Sequence, residues 1–290
     1  DDHVPTRSNS WATTSQTRSA DALIVNGAGF EEGLLDVIES AESDGVPTFE
    51  AISAVETIEF GEGGHDHDEK HSDDEEHSDE DHDDEEHSDE GHDDHDHAKK
   101  DDHDDHDGHD HEGVDPHFFT DPARMAEAAS AILDYLTANV AGVDVDAMQA
   151  SGDEYIAQLE ELDAEVAETF EDLTDEQRVL VTNHEVFGYF ADRYDFEVVG
   201  AVIPSGSTAD GASAQALAEL AETVEAEGVP VIFADSSSSD ELVQTLASEV
   251  GDIAIVELYS ESLGESDSDG ATYIDMVRSN AEVIATALAG

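Results

Sequence analysis

The chain has 290 residues, with 77 Asp or Glu against 9 Lys or Arg, a formal net charge of −68, no cysteine and 38% apolar residues. Such a charge repels phosphate backbones and anionic headgroups, which excludes nucleic acid as a partner and excludes a membrane surface approached through a basic patch. With no cysteine there are no disulfides, thiolate nucleophiles or Cys-based metal centres, leaving His, Asp and Glu as the strong metal ligands.

In chain order, residues 20–27 (Ala-Asp-Ala-Leu-Ile-Val-Asn-Gly) read as a short buried strand ending at a glycine turn. A helix is expected over 31–43 with Leu34, Leu35 and Ile38 on its core face, followed by a second strand over 47–52. Residues 61–113 then break the pattern with 27 acids, 3 lysines and 13 of the 16 histidines, and Glu75-Glu76-His77-Ser78-Asp79-Glu80 recurs ten positions later as Glu85-Glu86-His87-Ser88-Asp89-Glu90. With almost nothing apolar to bury, this segment is expected to be a disordered loop. It carries −24, while the other 237 residues hold 50 acids against 6 basic residues, or −44. The second figure resembles a surface adapted to high salt, where a Debye length of about 3 Å at about 1 M screens self-repulsion.

After the loop, Asp121-Pro122 opens a helix whose apolar positions Met125, Ala128, Ile132, Leu133 and Leu136 keep a helical period. A long helix is expected over 153–173 from Tyr155, Ile156, Leu159, Leu162, Val166 and Phe170. Strands over 179–182, 198–202, 231–234 and 253–256 then alternate with helices over 187–194, 213–227, 240–250 and 271–289. That alternation predicts an α/β fold of two lobes, each a parallel sheet flanked by helices, bridged by one long rigid helix. The expected boundaries are 1–148 for the amino-terminal lobe, 149–173 for the linking helix and 174–290 for the carboxy-terminal lobe. No apolar run approaches the length of a membrane span, and the absence of a signal-like start reads as a mature or trimmed chain.

Outside the loop only His3, His117 and His184 remain. His117 lies in Asp115-Pro116-His117-Phe118-Phe119-Thr120-Asp121-Pro122, where two prolines and paired aromatics describe a constrained turn able to hold a ligand in fixed geometry. His184 follows a strand, at the carboxyl end where open α/β sheets place their sites. Within the loop, imidazoles at His65, His67, His92, His95, His97, His103, His106, His109 and His111 are borderline ligands suited to Zn, Ni and Cu, and form candidate weak secondary sites.

These segments resemble the metal-binding solute-binding proteins of ABC transporters, specifically the zinc branch. Residues 115–122 are similar to that family's D-P-H-x-W-x-D-P motif, with Phe119 in place of Trp, and residues 184–194 to its H-x-x-F-x-Y-F-x-x-x-Y segment. Residues 20–27, Val231-Ile232-Phe233, Ser262-Leu263-Gly264 and residues 273–280 extend the likeness along nearly the whole chain, and an acidic His-rich loop before the D-P-H motif is itself characteristic of zinc-specific members. The resemblance implies a metal in the cleft between two lobes, held by three histidines and sometimes a carboxylate. His117 and His184 carry over directly, and the carboxylate falls at Glu261, where relatives more often have Asp. The family's first ligand histidine follows an opening strand and helix that are expected to be missing from these 290 residues, lost or trimmed. His3, in the partly matching His3-Val4-Pro5-Thr6, is the candidate for it, with a loop imidazole or Glu50 as the alternative.

The implied function is an extracytoplasmic Zn²⁺ receptor, a monomer serving an ABC permease and its ATPase subunit, at the cell surface and membrane-anchored only through an amino-terminal lipid outside this chain. Mn²⁺ or Fe²⁺ transport in the same fold is one alternative, favoured by the oxygen ligand, and a surface zinc buffer or adhesin without a transport role is another. An enzyme is not expected, because there is no Cys, no G-x-S-x-G elbow and no H-E-x-x-H helix.

Overall fold

A computed structural model describes residues 20–60, 113–203, 214–236, 241–251 and 253–290. His3 and all the loop histidines lie outside the described residues.

In the first lobe, strand β1 (Leu23–Val25) pairs in parallel with β2 (Thr48–Glu50), and the connection between them runs through helix α1 (Leu35–Ser43). Beyond residue 113, the Asp121 carboxylate accepts the N–H groups of Ala123 and Arg124 and so caps helix α2 (Pro122–Asn139), whose first residue is the expected proline. Asp144 caps helix α3 (Val145–Thr169) in the same way through the N–H of Ala147. At 25 residues, α3 is about 37 Å long.

The second lobe is a four-stranded parallel sheet in the order β4-β3-β5-β6, built from β3 (Val179–His184), β4 (Glu197–Ile203), β5 (Val231–Asp235) and β6 (Ala254–Leu258). Helices α4 (Gly188–Tyr194), α5 (Ala214–Glu227), α6 (Glu241–Val250) and α7 (Tyr273–Ala289) complete it. Period-two alternation divides the sheet's side chains between two cores. Leu180, Val231 and Phe233 join Leu162 and Val166 of α3 with Ile284 of α7, while Val181, Ile232 and Ala234 face Leu220 of α5 and Leu246 of α6. One helix, α3, therefore packs on α2 in the first lobe and lends side chains to the core of the second. No helix among the described residues is long and apolar enough to cross a membrane.

Three expectations are corrected. The linking helix begins at Val145, runs through Gly152 and stops at Thr169, not over 153–173. Gly152 is where the helix crosses α2, and a Cβ there would collide with the Leu133 side chain. Residues 32–34 form a short 3₁₀ turn before α1, and Leu34 and Leu35 are 38% and 47% exposed, not core. The turn is set by Glu31, whose carboxylate accepts the N–H groups of Asn26 and Gly27 across the left-handed stretch Gly27-Ala28-Gly29. The expected strand over 47–52 ends at Glu50, and Ala51–Ala54 close it with another 3₁₀ turn.

Candidate metal site

The turn carrying His117 is clamped from several elements. Its Pro116 carbonyl accepts Asn26 Nδ2 at 2.9 Å, the Asp115 carbonyl accepts the Tyr189 hydroxyl at 2.7 Å, and the Phe119 carbonyl accepts the Tyr273 hydroxyl at 2.8 Å. These donors come from the end of β1, the start of α4 and the start of α7, so both lobes fix the turn. Gly188 makes room for it, since a Cβ at that position would lie 2.7 Å from Asp115 Oδ2. The rings of Phe30, Phe60 and Phe119 stand edge-on to the His117 imidazole with centroids 5.8, 6.2 and 5.9 Å away. Phe119 thus keeps an aromatic wall where the family motif has Trp.

His184 is the last residue of β3, and its carbonyl accepts both the Thr182 hydroxyl and the N–H of Val186. Glu261 stands on the loop three residues beyond β6. The three expected ligands converge: Glu261 Oε2 is 3.2 Å from His184 Nε2, Oε1 is 3.7 Å from His117 Nε2, and one ligand atom from each residue lies within 4.8 Å of the others. Donors on a tetrahedral Zn²⁺ at 2.0–2.2 Å are about 3.4 Å apart, so the group is close to the size such an ion needs. Glu50 ends β2 and is outside the group.

Both imidazoles are fully buried; among the described residues His184 Nδ1 makes no hydrogen bond, and the two Nε2 atoms meet only the Glu261 carboxylate, without full hydrogen-bond geometry. Buried polar atoms without well-formed hydrogen bonds are costly and uncommon, and a cation between the two Nε2 atoms and the Glu261 oxygens would satisfy all of them. The electrostatics also favour a cation. Burial acts to lower the His117 pKa, but the Asp115 and Glu261 carboxylates outweigh it and raise the value above 6.5. Facing His117 and His184, the Glu261 carboxyl is held down at about 2. Its oxygens are therefore ionised at any physiological pH and able to receive a cation.

A network that sequence reasoning missed lies behind the ligands. The Asp235 N–H donates to Asn183 Oδ1 at 3.2 Å, the Asp235 carboxylate accepts the Ser260 hydroxyl, and Asn280 brackets the backbone N–H and C=O of Tyr259 at 3.0 and 2.6 Å.

The family model described as "Zinc-uptake complex component A periplasmic" matches residues 10–287. Zinc-binding protein TroA of Treponema pallidum is 35% identical over 180 residues, 60% of this chain and 58% of that protein. Manganese-binding lipoprotein MntA of Halalkalibacterium halodurans is 24% identical over 180 residues, 61% of this chain and 58% of that protein. Each alignment thus spans well under two thirds of the relative's length. Among solved structures, the periplasmic zinc binding protein TroA from Treponema pallidum superposes with a TM-score of 0.70 at 24% identity, covering 95% of this chain and 83% of that one. A Cd-bound periplasmic metal binding protein from Candidatus Liberibacter asiaticus gives 0.69 at 16% identity, with the same coverage. These superpositions establish the fold as that of the two-lobed metal-binding proteins.

Proposed function

The chain belongs to the family of the periplasmic component A of zinc-uptake complexes, and from that premise we propose that it is an extracytoplasmic receptor that binds Zn²⁺ in the cleft and delivers it to an ABC permease driven by an ATPase subunit. The observation that carries this reading is the convergence of His117, His184 and Glu261, with two buried imidazole Nε2 atoms facing one carboxylate and, among the described residues, no other polar group. Two imidazoles and one carboxylate suit a borderline cation, and the metal is cargo, held without chemistry and released. Three ligands leave a fourth position, for which His3 and a loop imidazole are the candidates; Glu50, outside the group of three, would have to move to fill it. The His-rich loop acts as a weaker multivalent site, raising the local Zn²⁺ concentration beside His117, to which it is joined in sequence.

A second reading, Mn²⁺ or Fe²⁺ as cargo, is favoured by the Glu261 oxygen, and the similar MntA is a manganese-binding lipoprotein. Calorimetric titration of the full chain and of a variant lacking residues 65–111 tests the division of labour. One tight Zn²⁺ site should survive the deletion and vanish in His117→Ala or His184→Ala, and loss of all tight binding on deletion overturns the scheme. Competition between Zn²⁺ and Mn²⁺ at the deletion variant identifies the cargo. Binding of several Zn²⁺ with no association to any permease would point instead to a surface buffer or adhesin.

A further inference from the structure

Three strands of the second sheet end side by side at the metal site, and side chains join their ends as well as the ladder does. β3 and β5 pair at Thr182 and Phe233, so His184 and Asp235 both lie two residues beyond that pair, and Asp235 pairs in turn with Leu258 of β6. The Asp235 N–H donates to Asn183 Oδ1, and the Asp235 carboxylate accepts the hydroxyl of Ser260. Asn183 immediately precedes His184, and Ser260 immediately precedes Glu261. A single aspartate is therefore tied to the neighbour of each of two ligands on different strands.

All three members are buried, with exposures of 2% for Asp235, 4% for Ser260 and 7% for Asn183. Burying one more carboxylate in a chain of net charge −68 costs desolvation and adds repulsion, with no gain in apolar packing. Its placement becomes intelligible from what Glu261 lacks. His117 and His184 are enclosed, whereas the Glu261 side chain is 27% exposed on a loop. That loop is tethered at Tyr259 to Asn280 of α7, and at Ser260 to Asp235, which is the tether that refers it to the sheet carrying His184.

We propose that Asp235 is a positioning residue for the cargo site: through Ser260 it fixes the Glu261 oxygen relative to His184 Nε2 and so sets the size of the donor set. The inference rests on reading His117, His184 and Glu261 as the metal site. Affinity depends on ligand distances held to a few tenths of an ångström, and a supporting residue displaced by that much is felt at the metal. Loosening the Glu261 loop also enlarges the site, which favours six-coordinate over four-coordinate ions.

Cobalt(II) is the probe, because its visible absorption is strong in four-coordinate and weak in six-coordinate sites. Titrations of the full chain compare the wild type with Asp235→Ala, Ser260→Ala, Asp235→Asn and His117→Ala, each followed by competition with Zn²⁺ and Mn²⁺. Asp235→Ala and Ser260→Ala should weaken the first Co²⁺ equivalent by about 10–100-fold, alter its visible band and reduce the preference for Zn²⁺ over Mn²⁺. Asp235→Asn, whose side-chain oxygen still accepts the Ser260 hydroxyl, should recover affinity and band to within a few-fold of wild type. The proposal is overturned if Asp235→Ala and Ser260→Ala keep the wild-type band and affinity, or if Asp235→Asn is as impaired as Asp235→Ala. Should Asp235→Ala not fold, Ser260→Ala, which deletes one hydroxyl, carries the same test alone. A wild-type chain with no tight, strongly absorbing Co²⁺ site, or one left intact by His117→Ala, overturns the assignment of the site itself and not the role of Asp235 within it.

Discussion

Asp115 Oδ1 lies 2.7 Å from His117 Nδ1 and also accepts the backbone N–H of the same residue at 2.9 Å. One carboxylate oxygen thus fixes the ring's orientation and keeps the proton on Nδ1, leaving Nε2 to face Glu261 and the proposed cargo site. Asp115→Ala should weaken Zn²⁺ binding by about 10–100-fold, the usual cost of removing an orienting partner from a ligating histidine. Asp115→Asn, which still offers an oxygen to both donors, should lose less. Chelator competition measures both, and equal affinity in wild type and Asp115→Ala would mean the ring is held by its aromatic neighbours alone.

Protons compete with the metal at the same atoms. Because the His117 pKa is raised above 6.5 by Asp115 and Glu261 against the effect of burial, Zn²⁺ affinity should begin to fall while the pH is still above 6.5, by about tenfold per pH unit for each imidazole proton displaced. Glu261 adds nothing to this slope, since its carboxyl stays ionised down to about 2. In the metal-free chain the raised His117 value contributes stability that is complete below 6.5 and is lost as pH rises through it. The lowered Glu261 value contributes stability that is complete above 4.5 and is lost as pH falls towards about 2. The metal-free chain therefore gains most from this cluster between those limits, and the rise in Tm on adding Zn²⁺ should be larger at pH 8 than at pH 5. An equal rise at both would argue against histidine ligation.

Gly188 is required by a neighbour and not by its own backbone. A methyl group there meets Asp115 Oδ2 at 2.7 Å and an Ile58 methyl carbon at 3.2 Å, and the carboxylate cannot retreat without leaving His117. Gly188→Ala should cost about 1–3 kcal/mol of stability, as overpacking of a filled site does. It should also weaken Zn²⁺ binding by about tenfold or more through displacement of Asp115. Thermal unfolding and chelator competition report the two effects separately, and a normal Zn²⁺ affinity in this variant would show that Asp115 can shift without consequence.

The alternation of β and α and the Asp121-Pro122 helix start were legible because each is a local signal, a period or a cap, and the convergence of His117, His184 and Glu261 was legible only through the family motifs. Leu34 and Leu35 misled because apolar spacing does not reveal that Glu31 turns the chain before α1 begins. Gly152 misled in the opposite direction, since a glycine inside a helical pattern looks like a boundary until Leu133 is seen filling its place. Asp235 was invisible for a statistical reason with a physical basis. Among 77 acids one more carries no signal, and only burial distinguishes it from the solvated majority.

Arg124 is one of only 9 basic residues, and it is 14% exposed in its side chain. Its guanidinium pairs with Asp121 at 2.9 Å and Asp192 at 2.8 Å, donates to the Glu56 carbonyl at 3.0 Å and lies 4.9 Å over the Tyr189 ring. Asp192 is half-exposed and counts for little. Asp121 is buried at 1%, and burial already raises its pKa, so Arg124→Met strands an uncompensated carboxylate and should cost about 3 kcal/mol. Denaturant unfolding at neutral pH measures it, and a loss below about 1 kcal/mol would show that the caps from Ala123 and Arg124 N–H groups suffice for Asp121.

Salt should act on the whole chain in the direction opposite to that of a single exposed ion pair. Exposed pairs weaken as ionic strength rises, but here 77 acids face 9 basic residues, so mutual repulsion among unpaired carboxylates dominates the surface energy. Raising KCl from about 0.1 M to about 1 M shortens the Debye length from about 10 Å to about 3 Å, less than the spacing of most surface charges. The repulsion falls in the folded state more than in the expanded chain, because folding brings the charges together. Tm should therefore rise by several degrees across that range, and choline chloride should act as KCl does if screening is the cause. A Tm that falls with either salt would mean that the ion pairs of Arg124, Arg193 and Arg278, and not the excess of acids, set the balance.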